Sequence, residues 1–428
     1  MKAKLKRTFF SYVIPSVLSF ALSGIYTIVD GFFVGQSMQD VGIAAVTIGF
    51  PVSAFIQAVG TGIGLAGAIQ YSISIAKDDI QRSSIYFTTT SLFMLLMSIF
   101  FSVVLYLFAP QLLSLFGATG TIHQMALEYV QVIVLGTFFQ LFATGLVPFI
   151  RNMGGSTFAM ISMILGFVTN IILDYVFVWL LEYGMFGAAL ATVLGQAVTF
   201  VCAFIFLANK KVNFVLPQIK EILPIFWNLL KVSISPFGLS FSSQFTLLLM
   251  NKFLFLYGTD QDVAVYGCID YIIAIIYLLV QGVGDGSQPL ISFYYGKEDT
   301  ENELAIRNLT YKFASLLTIF CIIIVFLCRK QVGLLFGATQ STNDSVAIYL
   351  PLFLSTILFL CYTRITTSYL YATEKIRISH ILVYGESICT FILLLILPRR
   401  FGVSGVWFSI PIAQVIMSCV AYAFKKMN

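Results

Sequence analysis

The sequence predicts an all-α integral membrane protein, with twelve transmembrane helices forming two parallel six-helix repeats, folded as two lobes around a central cavity. Three observations predict it. Of 428 residues, 59% are hydrophobic and 10% are charged, against roughly 45–50% and about 25% in soluble proteins. Apolar runs long enough to span a bilayer recur along the whole chain. The second half of the chain also repeats the first at an offset near 220.

The spans, in order, are 9–34, 45–73, 87–108, 125–149, 157–180, 187–208, 230–257, 264–292, 310–329, 347–370, 379–397 and 403–424. With a cytoplasmic start, eighteen of the 24 Lys and Arg residues fall on the cytoplasmic side, from Lys2, Lys4, Lys6 and Arg7 to Lys425 and Lys426. The opposite loops hold Arg329, Lys330, Arg399 and Arg400, while Lys252 and Arg364 lie within spans. The net charge of +5 therefore marks orientation, with both termini cytoplasmic and the helix count even. It does not point to nucleic acid.

The basic start before an apolar run resembles a secretory signal. Its counterpart in mid-chain argues for a retained first span instead. Seven cysteines fall singly within apolar spans and read as packing residues. With only His123 and His380, no histidine-based metal site is expected.

The repeat is gapless over its clearest stretch. Gly62 to Ser72, followed by Lys77-Asp78-Asp79, aligns with Gly282 to Ser292, followed by Lys297-Glu298-Asp299. Phe116-Gly117-Ala118-Thr119 returns as Phe336-Gly337-Ala338-Thr339, Pro15 as Pro236, and Tyr183-Gly184 to Gln196 as Phe401-Gly402 to Gln414. Because six is even, both halves keep one orientation, as in transporters whose halves rock about a binding site. The division is an amino-terminal lobe over 1–208, a cytoplasmic linker over 209–229 holding Pro217 and Pro224, and a carboxyl-terminal lobe over 230–428.

Within these spans the ionisable residues point to function. Asn170 and Asp174 stand four apart, on one face of the fifth helix. Asp30 lies in the first span and Thr192 in the sixth. A carboxylate at that depth costs several kcal/mol unless protonated, paired or bound to a cation. Two together cannot both stay charged cheaply, so they suit a site that takes up a proton. Their oxygens, with the Asn170 carbonyl and the Thr192 hydroxyl, equally suit Na⁺. H⁺ is preferred. Under the repeat, Asp30 maps to Met250, Asn170 to Thr390, Asp174 to Leu394 and Thr192 to Ile410, so the polar set exists once. A binding site needs its polar groups once, whereas a scaffold would need them twice.

The structural alternative is a buried ion pair of Asp30 or Asp174 with Lys252 or Arg364. Asp285, Glu386 and Arg364 are secondary candidates, and Asp270 is a further intramembrane acid. Glu386 has Arg364 or His380 as a possible partner. Gly24, Gly31, Gly35 and Pro15 would let the first helix bend, or let neighbours approach it closely.

On these residues the chain resembles the multidrug and toxic compound extrusion (MATE) transporters, over its whole length. The carriers are Val29 to Gly35, the glycine-rich end of the second helix with its repeat ending Gln288-Pro289 to Gly296, Arg151-Asn152-Met153-Gly154, and Asn170 to Thr192. The resemblance implies secondary antiport: a cytoplasmic compound, often a lipophilic organic cation, leaves in exchange for H⁺ or Na⁺. It also implies a coupling site at Asp30, Asn170, Asp174 and Thr192. In one branch of the family, acids of the seventh and tenth helices share the coupling. Here Met250 and Asn251 align with Asp30, and 347–370 has no acid.

The expected protein is thus a multi-pass antiporter of a bacterial inner membrane. It works as a monomer without resident cofactor, exporting small lipophilic cations through a cavity walled by aromatic residues and methionines. The alternative is a flippase or exporter of a lipid-linked sugar or physiological metabolite. A flippase needs several cationic side chains in its cavity, and only Lys252 and Arg364 lie within spans. No paired-histidine, nucleophile–base or phosphate-loop constellation suggests an enzyme.

Overall fold

The computed structural model describes residues 2–336 and 338–427. Gly337 of the repeated Phe336–Thr339 motif lies outside the described residues, as do the side chains of Lys2 and Lys426 from the charge distribution.

Among the described residues eleven helices are long and apolar enough to cross a membrane, and twelve when one bent pair counts as a single span. They are α1 (Ala3–Gln39), α2 (Val41–Ala76), α3 (Ile80–Leu115), α4 (Gly120–Leu135 and Thr137–Asn152), α5 (Ser156–Leu180) and α6 (Gly184–Asn209). The second set is α7 (Ile219–Tyr257), α8 (Asp260–Gly296), α9 (Thr300–Cys328), α10 (Gln340–Ala372), α11 (Ile376–Phe401) and α12 (Val403–Lys425). Outward faces are apolar without being buried: Leu107 is 63% exposed and Leu316 67%. In water that surface would aggregate, and in a bilayer it is the solvated face.

Turn chemistry repeats along with sequence. Asp78 and Glu298 share φ of 58°, and each follows a lysine whose N–H returns to a carbonyl four residues back, Ile73 at 3.2 Å and Phe293 at 3.0 Å. Gly154 and Glu374 end α4 and α10 at positive φ, and Gly184 and Gly402 turn the chain into α6 and α12 at 55° and 57°. Left-handed backbone at equivalent positions closes the same helix ends in both halves.

Three elements differ from the sequence expectation. The fourth span is not one straight helix: it bends by 58° between Leu135 and Thr137. Gly136 sits at the break, against the Val193 side chain. Thr137 Oγ1 donates to the Val134 carbonyl at 2.6 Å, and Gln140 Nε2 to the Ile133 carbonyl at 3.0 Å, so the bend leaves these two carbonyls satisfied. The linker is shorter than 209–229, because α7 begins at Ile219. Pro224 forgoes a single bond, to the Lys220 carbonyl, in the first turns of that helix. Finally, α5 ends in π-helix over Tyr175–Leu180.

The chain divides into two compact units, Met1–Phe237 with Ser292–Thr300, and Gly238–Ile291 with Glu301–Asn428. In the first, α5 and α6 pack at backbone contact. A Cβ at Gly195 would lie 2.8 Å from the Gly166 carbonyl oxygen and 2.9 Å from Asn170 Cβ. Gly195 thus lets α6 come close enough for Thr192, one turn earlier, to meet Asn170. Gly195→Val is expected to push the helices apart and cost roughly 1–3 kcal/mol, read as a lower thermal unfolding midpoint. Gly267→Ala, where a Cβ meets nothing within 4 Å, is the control. Equal midpoints for the two variants would refute the close-packing account.

Candidate functional site

The first unit brings together all four residues expected to form the site. Asn170, Asp174 and Thr192 are 2%, 1% and 5% exposed. Asn170 Nδ2 donates to Thr192 Oγ1 at 3.5 Å, and Thr192 Oγ1 donates to the Ala188 carbonyl at 3.1 Å. Thr192 therefore gives its proton to its own helix and turns its lone pairs toward Asn170, which fixes the amide with its oxygen free.

Asp30 of α1 meets Asp174 of α5 at hydrogen-bonding range. As carboxylates neither has a proton to donate. Asp30 Oδ1, both Asp174 oxygens and Asn170 Oδ1 are enclosed and have no donor. Among the described residues, no Lys or Arg nitrogen comes within 4 Å of either acid, so the ion-pair alternative does not describe the site. Four orphaned acceptors in low dielectric demand positive charge. A proton shared between the carboxyls meets that demand, and so does a small hard cation, since all the free atoms are oxygens.

Two residues at the site went unnoticed in the sequence. The phenols of Tyr26, on α1, and Tyr129, on α4, lie beside Thr192 and stand in the field of both carboxylates. Tyr26 precedes Asp30 by four residues, a same-face signal that was legible. Tyr129 carries no such signal, because it arrives through the bent α4. Tyr26 also stacks on Phe167, centroids 5.1 Å apart and planes at 8°. Just beyond Asp174, Phe33 packs edge-on against Trp179 at 6.3 Å. The π-helical turn here lets the Val178 carbonyl accept from Ser37 Oγ at 3.3 Å, tying α5 to α1.

The second unit carries different chemistry in the equivalent place. A small, partly open cavity is lined by Thr246, Thr390 and Ile410, the repeat counterparts of Tyr26, Asn170 and Thr192. Met250 and Leu394, counterparts of the two acids, are fully buried. Charge enters from other helices: Asp270 of α8, Arg364 of α10 and Glu386 of α11 line the same cavity. Arg364 donates from Nη1 to the Leu239 carbonyl at 3.3 Å and lies 4.5 Å from the Tyr277 ring centroid. Tyr266 Oη donates to Asp270 Oδ1 at 3.4 Å. Of the secondary candidates, Arg364 and Glu386 come together here. Asp285 does not line the cavity; it is buried and accepts from Tyr371 Oη at 3.3 Å.

Comparison with known proteins agrees with this organisation. The MatE family model matches twice, over residues 15–176 and 236–397, so the family's own unit recurs at an offset of 221. The chain is similar to the multidrug export protein MepA of Staphylococcus haemolyticus, 24% identical over 413 residues, covering 96% of this chain and 91% of the relative. To MepA of Staphylococcus aureus strain MRSA252 it is 24% identical over 423 residues, covering 98% and 93%. Among solved structures it resembles an outward-facing multidrug resistance MATE transporter of the MOP superfamily, with a TM-score of 0.90 at 21% identity and coverage of 99% and 95%. It also resembles a MOP superfamily transporter from Pyrococcus furiosus, TM-score 0.91 at 21% identity over 99% and 95% of the two chains. Two tandem matches spanning most of a multi-pass helical chain place this protein in the MatE family.

Proposed function

We propose that the protein is a secondary antiporter that exports lipophilic, often cationic, compounds from the cytoplasm in exchange for H⁺. Asp30 and Asp174 are the coupling pair, and Asn170 and Thr192 hold the geometry. The observation that carries the reading is the group of orphaned oxygens, Asp30 Oδ1, Asn170 Oδ1 and both of Asp174, in one enclosed place. Relatives named multidrug export proteins support the export of drug-like compounds. The aromatic faces of Tyr26, Phe167, Phe33 and Trp179 beside the acids suit a delocalised cation.

Coupling then works by competition. With the pocket open to the acidic side, the pair takes a proton and loses its attraction for a cation. With the pocket open to the cytoplasm, an arriving organic cation or water releases that proton. The same oxygens accept Na⁺, which would be carried as a co-substrate and exchanged by the same rule. Charge distribution supports both termini in the cytoplasm, and the standing proton gradient of a bacterial inner membrane would drive such an antiporter. The whole pair lies on α1 and α5 of one chain, which supports a single protomer as the working unit.

The test is uptake of ethidium into inside-out vesicles containing the protein, under an imposed pH gradient and, separately, an imposed Na⁺ gradient. Uptake driven by the pH gradient alone is expected. Uptake driven only by Na⁺ would replace the proton in the scheme, and no uptake under either, from folded protein and across a panel of dyes, would overturn the antiport reading.

A further inference from the structure

At one end of the second unit, four helices gather three cations around a single carboxylate of their cluster, Glu303. The start of α9, the end of α10, the start of α11 and the end of α12 lie on the same membrane face, because each helix crosses once. Along α9, Glu303, Arg307 and Tyr311 follow at four-residue spacing and form one stripe. Arg307 lies 5.2 Å from the Tyr369 ring centroid and Lys375 6.0 Å from the same ring. Lys425 sits 4.2 Å from the Tyr311 ring and 5.4 Å from Tyr362, and those two rings stack at 5.2 Å.

The acid of the α9 stripe is already engaged: Glu303 Oε1 accepts from Tyr369 Oη at 2.6 Å. Among the described residues, Arg307, Lys375 and Lys425 have no carboxylate within 4 Å, and Arg307 Nε is enclosed without an acceptor. Burial holds the Lys375 ammonium below the ordinary lysine value, with Glu303 opposing and Arg307 adding to the effect. Three half-buried cations kept together by aromatic faces, with an unfilled N–H among them, form a site for an anion. The membrane supplies the anion. Tyr422, one turn before Lys425, is 63% exposed on the apolar outer surface, so the site opens toward lipid at headgroup depth.

We propose that Arg307, Lys375 and Lys425, framed by Tyr311, Tyr362, Tyr369 and Tyr422, bind the phosphodiester headgroup of an anionic phospholipid of the adjoining leaflet. By the charge distribution that leaflet is the cytoplasmic one, where anionic lipid is enriched. The bound headgroup bridges α9, α10, α11 and α12 at their ends and so fastens the second unit.

The experiment is lipid retention by the purified full chain in detergent, followed by native mass spectrometry and thermal unfolding. Phosphatidylglycerol and phosphatidylcholine are titrated separately, with an arm containing inorganic phosphate alone. Phosphatidylglycerol is expected to be retained and to raise the unfolding midpoint, with phosphatidylcholine and inorganic phosphate doing neither. Lys425→Gln, in the last turn of α12, is expected to weaken retention about fivefold. The triple variant with Arg307→Gln and Lys375→Gln should lose selectivity for phosphatidylglycerol. Lys312→Gln, an exposed neighbour on α9 outside the cluster, should retain it fully. Equal retention of the two lipids by the wild type, or unaltered selectivity in Lys425→Gln and the triple variant, would overturn the site. A midpoint shift reproduced by inorganic phosphate would overturn its assignment to lipid.

Discussion

Asp30→Asn is expected to abolish gradient-driven accumulation while the protein still inserts and folds. The variant keeps the size of the side chain and removes the one carboxyl that, among the described residues, faces Asp174. One exchanged proton under a gradient of about two pH units supports roughly a hundredfold concentration ratio, at one decade per 1.4 kcal/mol. Without the pair that ratio should fall to unity, leaving passive, gradient-independent exchange. Stability should not suffer, because Asp30 makes no ion pair and its Oδ1 lacks a donor. The unfolding midpoint is expected to hold or rise, since an amide brings donors to the orphaned oxygens of Asp174. Asp174→Asn should match the transport phenotype. If the carboxyls act as one proton site, the double variant is no worse than either single one. Concentrative efflux persisting in a well-expressed Asp30→Asn protein would remove it from the mechanism.

The sequence carried this candidate site because buried carboxyls violate the solvent preferences of their surroundings. An acid in an apolar span stands out with no structure in hand, and the repeat sharpened the contrast by setting Asp30 against Met250 and Asp174 against Leu394. Helix number was legible for a related reason: the bilayer fixes span length, and turns such as Lys77-Asp78-Asp79 and Lys297-Glu298-Asp299 keep their sequence in both halves. What stayed hidden depends on tertiary contact. Tyr129 looks like any membrane tyrosine until the bend at Gly136 brings α4 to Thr192. Pro224 looked like a linker residue, yet a proline near a helix start costs one hydrogen bond and α7 runs through it. The π-helical turn after Asp174 has no composition to announce it. In the second half, Arg364 and Glu386 were visible as a possible pair. That Asp270 joins them, in the place equivalent to Asn170 and Thr192, follows only from how α8, α10 and α11 pack.

That packing gives Arg364 the largest expected effect on stability. Arg364 is 4% exposed, its guanidinium anchored to the Leu239 carbonyl and the Tyr277 face, and among the described residues it is the one cation lining a cavity that also holds Asp270 and Glu386. Arg364→Met removes the charge and keeps most of the volume. Glu386 is then left without the positive field that offsets its burial, and the Leu239 carbonyl loses a donor. Leaving a buried polar group without its partner costs roughly 1–3 kcal/mol, and the lost field on Glu386 adds to it, so the unfolding midpoint of Arg364→Met should drop. Glu386→Gln in that background should recover part of the loss, because the uncompensated charge goes with it, and the recovery measures the coupling between the two. Should Arg364 instead serve as a contact for an anionic cargo, Arg364→Met would unfold at the wild-type temperature and change only which compounds are exported. The two outcomes separate on a single thermal scan. A stabilising role fits the repeat: among the described residues no Lys or Arg nitrogen comes within 4 Å of Asp30 or Asp174, whereas the cavity of the second unit holds a permanent cation among its acids.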